Sequence, residues 1–278
     1  MKTIIVATDF STAALNAAEY AADMALAIQA NILLLHISEI PIAYLGLPVA
    51  ATEDEMMKDA KKSLSLLKEQ LTGRTGGKLN IKTEIDAGVF FHKLKAVCEK
   101  IKPYSVVMGS EGTTAAERAF FGGHTIYAMK HLEWPLVTIP PRAKFSQIKK
   151  ICLACDFDEV VDTTPIDEIK KLVNDFHAEL HVINSGKNES HEPDMVFESG
   201  LLQEMLVSLN PQYHFITDEN TDESIINFVE KNNIDLLITL PKRHCLLEKI
   251  IHKSISKQLV LNSRIPVIAM RSIPDESL

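Results

Sequence analysis

Five short apolar runs alternate with longer helical patterns in this 278-residue chain, and then the whole series returns. In the first half the strand-like runs are Thr3–Ala7, Asn31–Ile37, Asn80–Ile85, Ser105–Met108 and Leu136–Ile139. Between them lie helical patterns at Ser11–Ala30, Glu53–Leu71, Phe91–Lys102 and Thr125–His131. The second half offers strands at Lys150–Cys155, Glu179–Asn184, Tyr213–Thr217, Asp235–Leu240 and Pro266–Met270. Its helices are Pro165–His177, Glu198–Leu209, Asp222–Asn232 and Leu246–Asn262. Short strands separated by helices imply parallel βαβ units, hence an open, doubly wound α/β sheet with helices on both faces. Landmarks recur in the same order: Ala7-Thr8-Asp9-Phe10 matches Ala154-Cys155-Asp156-Phe157, and Trp134-Pro135-Leu136-Val137 matches Ile265-Pro266-Val267-Ile268. The pattern predicts one fold written twice, as domains 1–141 and 142–278, joined by the proline-led segment Pro140–Lys144. Thr164-Pro165-Ile166-Asp167 reads as a helix start, with a Thr N-cap, a first-turn Pro and an early acid.

An apolar fraction of 46% and a charged fraction of 24% are those of a soluble globular protein. The net charge of −8 argues against a nucleic-acid surface. Residues 1–141 carry 14 Lys+Arg against 15 Asp+Glu, and residues 142–278 carry 15 against 22, so a polyanion is repelled less by the first half. No apolar run approaches the roughly 18 residues of a membrane span, and the start is polar too soon for a secretory signal. These features predict a cytoplasmic protein without a membrane partner. Cys152 and Cys155 have redox or zinc-pair spacing, but alternating strand geometry points them to opposite faces and favours plain core cysteines. No metal site is predicted.

The chemistry-bearing stretch is Gly109-Ser110-Glu111-Gly112, followed after nine intervening residues by Gly122-Gly123-His124-Thr125. It follows a strand and opens a helical pattern. Glycines there let the backbone approach a ligand, and converging N–H groups at a helix start suit an anion such as phosphate. A flexible linker is the alternative for Gly122-Gly123, and a simple helix cap is the alternative for Asp9. His36 reads as a satisfied core histidine, while His124 faces either phosphate or water. The apolar segment 40–52 covers a ligand or meets a partner.

An Asp after the first strand, His36-Ile37 closing the second, and the Gly-x-x-Gly-(nine)-Gly spacing after the fourth resemble the universal stress protein family, in its tandem two-domain form. The resemblance implies two Rossmann-like domains, each a five-stranded parallel sheet of order 3-2-1-4-5, binding ATP or AMP, with or without Mg²⁺. It also implies pairing of two domains through their last strands, inside one chain or in a homodimer. Carried over, Ala7, Thr8 and Asp9 border adenine and ribose, Asp9 accepts from the sugar hydroxyls, and Ile37 contacts adenine. Met108, Gly109 and Gly112 line ribose and phosphates, and Gly122, Gly123, His124 and Thr125 close on the phosphates. Position 123 departs from the family's Ser or Thr, and losing one hydroxyl donor there costs about 0.5–1.5 kcal/mol.

The second half departs further. Leu240-Pro241-Lys242-Arg243-His244-Cys245 stands at the loop position, with no glycine and with a proline that removes a donor. Nine of the eleven glycines precede residue 142. Lys242, Arg243, His244 and Lys253 form either an anion site or a solvated basic loop. Three functions follow: a nucleotide-responsive stress regulator with a degenerate second domain, a nucleotide-independent interaction scaffold, or an enzyme. No paired carboxylates or activated nucleophile accompany the glycines, so at most slow ATP hydrolysis is expected.

Overall fold

The computed structural model describes residues 1–39, 49–110, 115–157, 160–184, 193–216, 221–241 and 255–271. The chain forms two compact units, Met1–Ala128 with Leu136–Phe145, and Met129–Pro135 with Ser146–Leu278. In the first unit the strands are β1 (Thr3–Ala7), β2 (Asn31–Ser38), β3 (Ile81–Ala87), β4 (Ser105–Gly109) and β5 (Leu136–Ile139). All pair in parallel, in the order β3-β2-β1-β4-β5. The helices between them are α1 (Thr12–Ala27), α2 (Val49–Arg74), α3 (Phe90–Ile101) and α4 (Ala115–His131). Strands β1, β4 and β5 are buried almost throughout, as parallel strands covered by helices must be.

Helix α1 shows how the sequence builds its own cap. Ser11 is extended, and its Oγ accepts from Ala14 N at 3.2 Å. The helix then presents Ala13, Ala14, Ala17, Ala18, Ala21, Ala22 and Ala25, all buried, so its axis lies close to the strands. Asn16 Nδ2 donates to Pro140 O and Ala143 O at 3.1 and 3.0 Å, and Lys144 Nζ donates to Asn16 Oδ1 at 2.9 Å. The expected linker is therefore tied down along α1, and Phe145 ends it edge-on to Tyr20.

The second unit repeats the plan with β6 (Lys150–Ala154), β7 (Glu179–Asn184), β8 (Gln212–Phe215), β9 (Leu236–Thr239) and β10 (Val267–Ala269). Taken alone its order is β8-β7-β6-β9-β10, again parallel and again 3-2-1-4-5. Its helices are α5 (Val160–Thr163), α6 (Ile166–Phe176), α7 (Pro193–Leu206), α8 (Thr221–Lys231) and α9 (Ile255–Asn262), and a 3-10 turn, Val207–Leu209, follows α7. The repeat extends to single hydrogen bonds. Thr8 N donates to Leu35 O, as Cys155 N does to Ile183 O. His36 Nδ1 reaches Thr8 O at 2.8 Å, as Asn184 Nδ2 reaches Cys155 O at 3.1 Å. Phe10 and Phe157, both left-handed, follow at matching positions.

Two expectations need correction. Helix α4 begins at Ala115, ten residues before the predicted start at Thr125, because Ala115-Ala116-Glu117-Arg118-Ala119 are strong helix formers. Thr164 does not cap α6: its N–H closes the preceding turn onto Val160 O, and its buried Oγ1 has no partner among the described residues. The short helix α5 itself was not foreseen. The segments 40–48, 242–245 and 246–254, which held the apolar loop, the basic loop and the first part of the last predicted helix, lie outside the described residues. No described helix is long and apolar enough to cross a membrane.

One packed pair on β7 and β8 sets an acid limit. His181 Nδ1 and His214 Nε2 are 3.1 Å apart, and the His214 ring lies against Phe228. Burial lowers both pKa values from 6.5, helped at His181 by His214 and Lys150. The unfolded chain therefore binds protons that the folded pair refuses, and stability is present above about pH 6.5 and lost progressively below it. Urea unfolding midpoints measured across this range should fall with acidification, and the slope should flatten in His214→Gln.

A cleft at the end of strands β1 and β4

In the order 3-2-1-4-5 the chain leaves β1 toward β2 on one side and has β4 on the other. A crevice opens at the carboxyl ends of strands where the order switches in this way. A cleft of about 290 Å³ lies at this place in the first unit. Ala7, Thr8 and Asp9 line it from the β1 exit, Ile37 from β2, Met108 and Gly109 from β4, and His124 and Thr125 from α4. Eight of the eleven positions singled out in the sequence thus share one cavity.

The β1 exit is a tightly bonded turn. Thr8 is buried; its Oγ1 accepts from Phe10 N at 3.0 Å, and Asp9 Oδ1 accepts from Ser11 N at 3.0 Å. Phe10 sits at φ 65°, a conformation rare for a side chain of its size, and the two side-chain acceptors hold it there. Asp9 therefore shapes the entry to α1 and also lines the cleft. His36 is satisfied as expected. The Thr8 carbonyl can only accept, so Nδ1 carries the hydrogen, leaving Nε2 to accept from Ser38 Oγ at 3.1 Å; the ring also stacks on Phe10.

Gly109 has a steric reason to be glycine. A Cβ built there would lie 3.0 Å from Ala13 C and 3.1 Å from Ala13 O. The close approach is to the first turn of α1, and it leaves the floor of the cleft unobstructed. Thr125 is buried, and its Oγ1 donates to Gly109 O at 3.3 Å, pinning α4 to the end of β4. Its hydroxyl proton is thereby directed at the protein.

Gly112 lies outside the described residues. Gly122 and Gly123 lie inside α4, beyond its first four residues, where each N–H is directed to the carbonyl four residues back. They are not at a helix start, and Gly123 does not line the cleft. A Cβ at Gly123 would meet nothing within 4 Å.

Ser11, Ala13, Ala14, Glu39 and Phe90 also line the cleft. Ser11 carried a signal as an N-cap residue two places after Asp9. Glu39 and Phe90 carried none, because only the β2–β3 register brings the end of β2 beside the start of α3. Glu39 Oε1 accepts from Phe90 N at 3.2 Å, at the first turn of α3, which has no side-chain cap of its own. Glu39 Oε2 lies 3.3 Å from His124 Nε2, and the Phe90 ring tilts against His124 at 4.8 Å.

The corresponding space in the second unit is about 80 Å³, lined in part by Cys155, Asp156, Thr239, Leu240 and Pro241. Strand pairing aligns Ile4 with Ile151 and hence Gly109 with Leu240. A leucyl side chain stands where the first unit has none. Thr239 Oγ1 donates to Ser256 Oγ at 2.8 Å, so the polar groups there satisfy each other. Cys152 and Cys155 are buried thiols outside any disulfide; burial pushes Cys152 up to about 12, too high for a reactive thiolate at neutral pH. Among the described residues no three His, Cys, Asp or Glu side chains are grouped to hold a metal. Replacing Gly109 by Ala should cost about 1–3 kcal/mol through overpacking against α1, read from urea denaturation, whereas Gly123→Ala should not destabilise.

The sequence model of the universal stress protein family matches residues 1–140. No curated protein matches the chain by sequence. Among solved structures, a universal stress protein from Archaeoglobus fulgidus DSM 4304 is 17% identical, with 99% of this chain and 97% of that chain covered at a TM-score of 0.73. A functionally unknown protein from Pseudomonas aeruginosa PAO1 is 13% identical over 98% and 93%, at 0.60. Universal stress protein UspA from Lactobacillus plantarum is 25% identical over 50% of this chain and 96% of that chain, at 0.42. At such identities the two longer likenesses bear on the fold. The family match spans half of the chain, and this chain belongs to the universal stress protein family.

Proposed function

We propose that the first domain, residues 1–141, binds an adenine nucleotide, ATP or AMP, and that the protein is a cytoplasmic, nucleotide-responsive regulator of the stress response. The observation that carries this reading is the convergence of Ala7, Thr8, Asp9, Ile37, Met108, Gly109, His124 and Thr125 on one cleft at the strand switch point. Asp9 accepts from the ribose hydroxyls, and Ile37 and Met108 supply apolar contact. Gly109, Gly112, Gly122, Gly123, His124 and Thr125 serve the phosphate end, with or without Mg²⁺. Donation from the Gly122 and Gly123 amides requires the first turns of α4 to rearrange on binding, since both lie within the helix. The second domain, residues 142–278, is the degenerate structural partner, with Leu240 filling the place of Gly109. Any ATP hydrolysis is slow, well below about one turnover per second.

The helical placement of Gly122 and Gly123 also favours a second reading, a nucleotide-independent scaffold in which the cleft is vestigial. Titration calorimetry with ATP and with AMP separates the two. Saturable binding that weakens in Asp9→Ala supports the first reading; no heat at millimolar nucleotide leaves the scaffold. At 100 times Kd a ligand should stabilise the fold by about 2.7 kcal/mol, seen as a rise in melting temperature. Gly123→Ser, which has room for its side chain, should tighten nucleotide binding by roughly twofold to tenfold if its hydroxyl reaches a phosphate.

A further inference from the structure

We infer that Glu39 is a charge filter that biases this cleft toward AMP over ATP, an inference that rests on the nucleotide reading above. The described lining holds two carboxylates, Asp9 and Glu39, one imidazole, His124, and no Lys or Arg. Glu39 faces that single basic group, with Oε2 3.3 Å from His124 Nε2. The other oxygen is fixed on Phe90 N, at the positive end of α3, where a carboxylate is favoured electrostatically. Glu39 thus bridges two elements at the rim of the cleft, with its side chain 47% exposed. Each further negative charge on a ligand meets this carboxylate, while an uncharged nucleoside does not feel it. Lys93, the basic side chain at the start of α3, is taken by Asp86 at 2.9 Å.

The test compares adenosine, AMP and ATP, without divalent cation, on the full chain and on Glu39→Gln. The amide keeps an oxygen for Phe90 N and removes the charge. The wild type should bind AMP more tightly than ATP. The variant should gain about threefold for AMP and about tenfold for ATP, with adenosine unchanged within about twofold. Adenosine bound equally by both proteins, with the ATP-to-AMP ratio unmoved, overturns the filter and leaves the nucleotide site standing. None of the three bound by either protein removes the site and the filter together. Salt provides a measurement that needs no variant. Raising ionic strength should screen the repulsion and improve ATP relative to AMP in the wild type; a shift toward AMP overturns the inference.

Discussion

The contact between the first turn of α1 and the end of β4 governs the first unit. Ala13 sits so near Gly109 that a Cβ added there would lie 3.0 Å from the Ala13 backbone and press α1 outward. This closeness is possible because α1 faces the strands with a succession of alanines and β4 ends in glycine. It places the amino end of α1, the β1 exit and the α4 face around one opening. With a larger residue at either position, α1 would ride higher on the sheet or the cleft would fill.

The second unit shows a smaller space at the same place. Its strands keep the same order, and its β6 exit keeps the same left-handed Phe and the same bond from the second strand back to the turn. The framework of the turn therefore does not depend on a ligand cavity. Leucine at the position of Gly109 and a hydroxyl pair between Thr239 and Ser256 line a space of about 80 Å³ instead. The hydrogen-bonded turn and the size of the pocket beside it are separable properties.

Electrostatics distinguishes the open cleft from an ordinary anion site. A phosphate site usually draws on Lys, Arg or unspent helix amides. Here the described lining is net acidic, the one imidazole is engaged by Glu39, and the Thr125 proton is spent on Gly109 O. Shape and apolar contact at Ile37 and Met108 are consequently the larger assets of the described lining.

Strand positions were legible because fully buried parallel strands are continuous apolar runs, and three of the ten, β1, β5 and β7, have the limits the sequence suggests. The repeat of the strand series was legible for the same reason, whereas the grouping of Asp9 with Gly109, far apart in the chain, was an expectation drawn from the family resemblance. Helix α4 was misjudged because glycines lower helix propensity locally, while the alanines before them carry the helix through. Glu39 and Phe90 could not be paired from the sequence: they are 51 residues apart and meet only through the register of β2 with β3. The sequence by itself determined the alternation, the repeat and the steric demand for small residues, because these arise from short-range periodicity and side-chain size. Only the tertiary structure decided which charges face one another across the cleft, because that depends on how distant segments are brought side by side.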